Sequence, residues 1–264
     1  MMKTISAGDI PACKRLWKQV FQDETAVIDA FFRELFDEKM SLAAEIDGEI
    51  AAMVFAYAHE GVVIAGREYP FACIYAGATA PACRGQHLTM DLIRALIGQV
   101  RSEMASRTGR AEKDVVIGIT PADDGLRDYY TTRFDFMEGF CAMQLSKEVL
   151  RGQSFRKITS RHYDALREEL LSGVCHLHLT PAQYAYLEAD LIPNGGGMYE
   201  SNEGIAILRN IGEATEVVEY LAKDGDPFVR GGAELIPGML FDALPGVREE
   251  ILAEPVRYAG VLLD

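Results

Sequence analysis

The chain of 264 residues is long enough for one large domain or two of ordinary size. Hydrophobic residues make up 49% of it and charged residues 25%, a globular balance that excludes an extended disordered chain. The 40 acidic residues outnumber the 26 basic ones and give a formal net charge of −14, which argues against nonspecific nucleic-acid binding and weakly favours cationic substrates.

The cysteines and the N-terminus indicate the compartment. The five cysteines form no Cys-x-x-Cys pair, which is the usage expected in a reduced compartment. The N-terminus has no long apolar segment, and no apolar run approaches the ~20 residues that span a bilayer. We therefore predict a cytoplasmic protein with no membrane or nucleic-acid partner; the oligomeric state is left open, with a homo-oligomer as one alternative.

The first elements predicted along the chain are a strand, two helices and a run of strands. Asp9 and Pro11 open a helix with an apolar stripe, and a second such helix follows Thr25. Asp47-Gly48 separates two apolar runs and predicts a hairpin, because a type I′ turn needs positive φ at both central residues. The predicted strands, which form an antiparallel sheet, are 2–6, 42–46, 50–58, 62–65 and 69–79.

Alternating helices and strands complete the first half. An amphipathic helix begins after Gln86, and a strand of buried type follows at 114–120. Because a helix separates 114–120 from 69–79, the two strands can pair in parallel through a right-handed crossover. The next helix carries Tyr130, and a strand at 134–145 closes this half.

The second half is predicted to repeat part of this order. Its predicted elements are helices at 161–171, 181–189 and 213–223, a hairpin of 198–199 with 204–208, and a last strand at 257–262. The order hairpin, helix, strand echoes the first half, so we predict a degenerate repeat. We divide the chain into an N-terminal domain of residues 1–150 and a C-terminal domain of residues 151–264.

The most informative stretch runs from Ile74 to Asp91. A strand of small residues leads through Pro81 and a short loop with Arg84 and Gly85 into a helix. The free N–H groups of a first helical turn and the helix dipole favour an anion, and a guanidinium matches phosphate geometry. The sequence therefore predicts that this turn holds a phosphorylated ligand.

Both this stretch and a later tyrosine resemble the GCN5-related N-acetyltransferases (GNAT). Those enzymes carry Pro-x-x-Arg-Gly-x-Gly-x-Gly between a strand and a helix; Pro81, Arg84 and Gly85 match it, whereas His87 and Thr89 stand where glycines are usual. A second family segment, Phe-Tyr-x-x-x-Gly-Phe, resembles the run from Tyr129 to Phe136. In that run Tyr130 fits the tyrosine, and Asp135 replaces the glycine. The two-half layout is similar to that of the enhanced-intracellular-survival-type acetyltransferases.

The resemblance implies a fold and a cosubstrate. The expected fold class is α/β (α+β), with a mixed, mostly antiparallel sheet flanked by helices and a second, smaller α/β half. Acetyl-CoA is the implied cosubstrate, with its pantetheine arm along a strand edge and its pyrophosphate on the loop. The implied cofactor-binding residues are Gly77, Ala78, Thr79, Arg84, Gly85, Gln86, His87, Leu88 and Thr89.

The implied reaction is transfer of an acetyl group to a primary amine of a small molecule or peptide. Tyr130 is the implied general acid, which protonates the departing thiolate. The general base is left open among Glu45, Glu60, Asp123, the C-terminal carboxylate of Asp264 and a water chain. The alternative is a degenerate GNAT-fold protein that binds CoA or a protein partner without turnover, because residues larger than glycine stand in both motifs.

One further pattern concerns metal binding. In the run Cys175-His176-Leu177-His178 both histidines would share one face of a strand, as in a metal site. Since no third ligand stands at a fixed spacing from them, we interpret them as structural histidines and predict no metal.

Overall fold

A computed structural model describes residues 1–211, 214–228 and 234–260. The helices of this part of the chain, α1 to α7, are Ile10–Phe21, Thr25–Glu34, Leu88–Thr108, Asp124–Arg133, Ser160–Leu170, Pro181–Leu191 and Val247–Ala253. The strands, β1 to β15, are Met2–Thr4, Ser41–Ile46, Glu49–Ala58, Gly61–Ile64, Arg67–Tyr69, Phe71–Thr79, Val116–Ile119, Met137–Gln144, Arg156–Ile158, Cys175–His178, Gly197–Glu200, Gly204–Ile211, Ala214–Ala222, Glu234–Asp242 and Arg257–Tyr258.

The main sheet has 11 strands in the order β1-β2-β3-β6-β7-β14-β8-β15-β10-β4-β5. Most neighbouring strands are antiparallel, whereas β6 with β7, β8 with β15 and β15 with β10 are parallel. The predicted fold class, a mixed and mostly antiparallel sheet flanked by helices, is confirmed. The predicted parallel pairing of β7 with β6 is also present.

Different helices cover the two faces of this sheet because side chains alternate along a strand. On β3, Phe55 packs on one face against Trp17 of α1, with ring centroids 5.8 Å apart. The next residue back, Val54, belongs to the cluster on the opposite face, where Leu92 and Leu96 of α3 pack. The apolar stripes predicted in the sequence are therefore the surfaces that bury these helices on the sheet.

The short strand predicted at 62–65 is present as β4, and it lies near one edge of the main sheet, a position that the sequence pattern did not specify. It does not lie beside β3, which pairs directly with β6. Instead β4 forms a hairpin with β5 through Ala65 and Gly66, both at positive φ, and pairs with β10 on its other side. Strand pairing across such a distance depends on tertiary packing, so the local pattern could not specify it.

The helix predicted at 213–223 is wrong, because residues 214–222 form β13. This strand pairs antiparallel with β12 along its length, with one shift of register opposite Ile207 and Leu208. Its side chains are buried on both faces, with Val217, Tyr220 and Ala222 in one apolar cluster and Leu221 in another. The β-branched residues of this stretch favour an extended backbone. The predicted hairpin of 198–199 with 204–208 is confirmed as β11 and β12.

The second half contributes strands to both sheets. A smaller sheet has the order β13-β12-β11-β9, while β14 crosses into the main sheet and lies between β7 and β8. The predicted last strand is present only as β15, and residues 261–264 lie outside the described residues. The main sheet thus includes strands from both sides of residue 150, and the division at that residue and the degenerate repeat stay predictions.

Candidate active site

The loop that the sequence singled out leads from β6 into α3 as a sharply turned backbone. A single 3-10 turn spans Pro81–Cys83, and α3 begins at Leu88. Gly85 has a φ of +82° and His87 a φ of +59°. The left-handed region costs glycine little and disfavours most other residues, but histidine is among those that enter it more readily. This conformation explains physically why a glycine is usual where His87 stands.

Backbone N–H groups and one arginine make this loop suited to an anion. In the described part of the chain, the N–H groups of Gly85, Gln86 and His87 donate no hydrogen bond, and the first turn of α3 adds further N–H groups without an intrahelical partner. Arg84 is exposed and forms no ion pair with any described residue. The loop therefore offers convergent donors and a free positive charge at the positive end of a helix dipole.

Thr89 connects the loop to the strand that precedes it. The hydroxyls of Thr89 and Thr79 are 2.5 Å apart and form a hydrogen bond. The methyl group of Thr89 would lie 3.1 Å from a β-carbon built on Gly77, so the two residues fit closely only because one of them is glycine. These contacts hold the end of β6 against the start of α3.

The strand edge beyond these contacts is open on one side. β6 pairs with β3 over nearly its whole length, but its pairing with β7 ends at Ile74 opposite Ile119. The register with β3 shifts between Met53 and Phe55, opposite a bulge in which Ala76 takes a φ of +47°. The edge from this bulge to Thr79 thus faces away from β3 with no neighbouring strand among the described residues.

A cavity of about 480 Å³ opens where β6 and β7 separate. Its walls come from α1, β6, the β7–α4 loop, α4 and β14. Among the residues that line it are Trp17, Asp23, Tyr75, Gly77, Arg127 and Tyr130. The cavity therefore connects the open edge of β6 to the side chains that could act on a bound molecule.

Tyr130 reaches this cavity from α4. Its ring is half-buried and lies 6.1 Å from Phe134 and 6.3 Å from Phe136, measured between centroids. Burial, assisted by nearby Tyr129 and Asp123, raises the pKa of Tyr130 to about 12. The hydroxyl is accordingly protonated at neutral pH, and it can donate a proton.

Arg127 holds α4 against the sheet one turn before Tyr130. Its guanidinium forms two hydrogen bonds, of 2.8 and 2.7 Å, to the carboxylate of Glu138 on β8 and another of 3.0 Å to the carbonyl of Gly238 on β14. Both carboxylate oxygens accept from the same nitrogen, Nη1, while Nη2 donates to the carbonyl, so the guanidinium links α4 to two strands through charge-assisted hydrogen bonds. The strand from the second half therefore helps to position the helix that carries Tyr130.

The carboxylates predicted as general bases do not line the cavity. Glu45 forms an ion pair of 3.1 Å with Lys3, and Asp123 caps α4 by accepting a 2.7 Å hydrogen bond from the N–H of Leu126. Glu60 lies at the opposite end of the sheet, where its N–H donates to the carbonyl of His178. The fourth candidate, Asp264, lies outside the described residues.

The acidic residue among those that line the cavity is Asp23, which lies between α1 and α2 and was not predicted as a site residue. It follows Gln22, a residue at φ +64° that ends α1, and its carboxylate accepts a 2.7 Å hydrogen bond from the indole N–H of Trp17. The sequence signal was weak, because an aspartate just before a helix is usual as a cap. Only the packing of α1 over the sheet brings it to the cavity.

No helix among the described residues combines the length and the apolar composition needed to cross a bilayer.

Comparison with known proteins agrees with this geometry. Residues 1–107 match the family model of an acetyltransferase (GNAT) domain, and no curated protein matches the chain. Among solved structures, the chain is similar to a GCN5-related N-acetyltransferase from Anabaena variabilis, with a TM-score of 0.65 and 10% identity over 91% of this chain and 72% of that one. It is also similar to Eis1 from Mycobacterium abscessus, with a TM-score of 0.60 and 13% identity over 86% of this chain and 60% of that one.

A third solved structure aligns with this chain over almost the full length of both proteins. A putative acetyltransferase from Pyrococcus horikoshii matches with a TM-score of 0.59 and 12% identity over 99% of this chain and 94% of that one. At such identities the likeness shows the fold alone. The predicted resemblance to GNAT enzymes, including the two-half survival-type form, is therefore confirmed at the level of the fold.

Proposed function

We propose that this chain, whose residues 1–107 match the acetyltransferase (GNAT) domain, transfers an acetyl group from acetyl-CoA to a primary amine of a small molecule or peptide. One observation carries the proposal: the open edge of β6 runs from the donor-rich loop before α3 directly into the cavity that Tyr130 lines. A long molecule with a phosphate end and an extended amide-bearing arm fits that path.

The binding residues follow from this path. The N–H groups from Arg84 to Thr89 hold the pyrophosphate, and the Arg84 guanidinium adds a charge-assisted contact. The backbone of Gly77, Ala78 and Thr79 pairs with the amide groups of the pantetheine arm, as a sheet edge pairs with an added strand. The thioester then lies in the cavity beside Tyr130.

The reaction joins the amine nitrogen to the acetyl carbon and breaks the bond between that carbon and sulfur. Tyr130 donates its proton to the departing thiolate, and its elevated pKa keeps that proton available at neutral pH. The amine loses its proton to water or to a nearby carboxylate. Binding both reactants in one cavity supplies the orientation that direct attack requires.

Asp23 supports an amine as the acceptor. Its carboxylate is half-buried beside Trp17 and Tyr75, whose rings lie 5.7 Å apart between centroids. A carboxylate in an apolar wall attracts a cationic ammonium, and aromatic faces favour cations as well. We therefore propose that the acceptor is cationic before it loses its proton.

Calorimetry with acetyl-CoA, followed by an assay of CoA release on a panel of amines, tests the proposed function. We expect saturable 1:1 binding and release of CoA with at least one amine. Binding without release on any amine of a broad panel would favour the degenerate alternative instead, and the absence of heat at millimolar acetyl-CoA would exclude both.

Arg84→Ala is expected to weaken acetyl-CoA binding roughly 10- to 100-fold, because a charge-assisted hydrogen bond to phosphate contributes about 1.5–3 kcal/mol. Turnover at saturating acetyl-CoA should change little, since the guanidinium lies on the loop and not in the cavity wall. The measurement is calorimetry together with separate determination of kcat and KM.

Arg110→Ala is the matched control for this variant. Arg110 is likewise exposed, and it follows the far end of α3, about 30 Å from the loop for a helix of this length. If both variants weaken acetyl-CoA binding equally, the loss reflects the change in the net charge of the protein, and Arg84 does not contact the cosubstrate.

A further inference from the structure

Two histidines and a glutamate meet on the side of the molecule away from the cavity. His176 and His178 lie two residues apart on β10 and therefore share one face of the sheet. Their rings lie 4.7 Å apart between centroids, and Glu168 of α5 faces both of them. One ligand atom from each of these three residues lies within 4.8 Å of the other two.

The contacts in this cluster converge on a single oxygen. The Nε2 atoms of His176 and His178 lie 2.9 and 3.0 Å from the same Oε2 of Glu168. The other carboxylate oxygen, Oε1, accepts a 3.1 Å hydrogen bond from the buried guanidinium of Arg167. Glu168 is thus oriented through one oxygen and presents the other to the two imidazoles.

A backbone contact also orients His176. Its Nδ1 lies 2.7 Å from the carbonyl of Val174, which can only accept, so Nδ1 carries a proton. The hydrogen bond at Nδ1 leaves Nε2 as the ring nitrogen that can bind a metal ion, and Nε2 faces Glu168.

We propose that Glu168, His176 and His178 bind a divalent transition metal ion of the Zn²⁺ type. Two imidazole nitrogens and one carboxylate oxygen are a ligand set that suits Zn²⁺. The hydrogen bonds from Nδ1 to a carbonyl and from Arg167 to Oε1 are the outer contacts that orient metal ligands in proteins. The side chains of Glu168 and His178 remain 30% and 22% exposed, which leaves a face open for water as a further ligand.

The site has a structural consequence. It joins α5 of the second half to β10, which pairs with β4 and β15 in the main sheet. None of its three residues is among those that line the cavity. Since all three ligands lie between residues 160 and 178, the ion joins α5 to β10 within the second half and takes no part in acetyl transfer. A bound ion stabilises the folded chain to the extent that it binds the folded state and not the unfolded one.

Calorimetry with ZnCl₂ on the full-length chain, stripped of metal with a chelator, tests the proposal. We expect one site per chain, a visible absorption band when Co²⁺ replaces Zn²⁺, and no comparable binding of Mg²⁺, which prefers oxygen ligands. The unfolding midpoint should rise with Zn²⁺ concentration. If the stripped protein binds no Zn²⁺ at 1:1, the cluster is not a metal site and the proposal is wrong.

Two variants assign the site. Because changes to outer contacts alone cost ~10–100-fold in metal affinity, loss of a ligand in His178→Ala should cost at least ~100-fold. Glu168→Gln keeps the shape of the side chain and should also weaken binding, so a folding defect in one variant leaves the other as the test. His162→Ala, an exposed histidine on the same helix, is the control. Equal losses in His162→Ala and His178→Ala would place the ion elsewhere and overturn the assignment.

Discussion

Tyr130→Phe is expected to lower the rate of acetyl transfer by ~10²–10⁴-fold, the range typical of general acid catalysis. The substitution removes only the hydroxyl, so the ring keeps its contacts with Phe134 and Phe136. Affinity for acetyl-CoA should change little, because the phosphate-binding loop lies at the other end of the path. Steady-state kinetics with an acceptor identified in the amine panel, combined with calorimetry, checks both expectations.

Tyr129→Phe is the matched control for this variant. Tyr129 adjoins Tyr130 on α4 and is half-buried as well, but it is not among the residues that line the cavity. We expect near-normal turnover for Tyr129→Phe. If Tyr130→Phe retains full turnover on the same substrate, another group or water protonates the thiolate and the site assignment fails.

The pH profile gives a second test of the acid. Burial raises the pKa of Tyr130 to about 12, so the proton that it donates is lost only as the pH approaches that value. Ionisation of this group should therefore cause no loss of kcat in the wild type near neutral pH. If kcat of the wild type nevertheless falls with rising pH near neutrality, another group must be ionising. The same fall in kcat would then be seen in Tyr130→Phe.

Glu219→Gln is expected to lower the free energy of unfolding by about 3–5 kcal/mol, the cost of breaking a buried ion pair. The side chains of Glu219 and Arg167 are fully buried, with Nε of the arginine 3.2 Å from the carboxylate. Tyr163 and Tyr258 donate hydrogen bonds of 2.7 and 2.8 Å to the same carboxylate. Glutamine keeps the shape but removes the fully buried counterion of the guanidinium, which retains only the partly exposed carboxylate of Glu168 at 3.1 Å.

Thermal and urea unfolding measure this change. At about 2–4 °C per kcal/mol for a chain of this size, the midpoint should fall by roughly 6–20 °C. Glu216→Gln on the same strand is the control, because Glu216 is 49% exposed and its contact with Arg209 is 3.4 Å long. An exposed pair contributes about 0–1 kcal/mol, so equal effects of the two substitutions would contradict the importance of the buried network.

Predictions from the sequence succeeded where neighbouring residues alone decide the structure. The loop between β6 and α3 is continuous in the chain, and Pro81, Gly85 and the apolar stripe of α3 specify its turn and its helix locally. The conformation of His87 was not foreseen. A positive φ at a residue other than glycine is uncommon, and a single sequence gives little indication of where it occurs.

The second half shows how the same reasoning fails. Residues 214–222 place Val217, Tyr220 and Leu221 at helical spacing, whereas the β-branched Thr215, Val217 and Val218 favour a strand. Pairing with β12 decides between helix and strand, because the hydrogen bonds that a neighbouring strand offers can be formed only by an extended backbone. β14 was missed because Pro237 and Gly238 interrupt its pattern, and both residues lie at irregularities of the register with β8.

Local patterns were sufficient for the first-half strands β1, β2, β3, β6, β7 and β8, the helices that cover them, the loop before α3 and the placement of Tyr130 on its helix, because periodicity and turn chemistry act over a few residues. Tertiary structure alone decided that Asp23 reaches the cavity, that β14 lies between β7 and β8, and that Glu168 joins the two histidines of β10. Each of these arrangements brings together residues that belong to separate helices, strands or loops. Such pairings depend on which surfaces are buried together, and packing of the whole chain determines that.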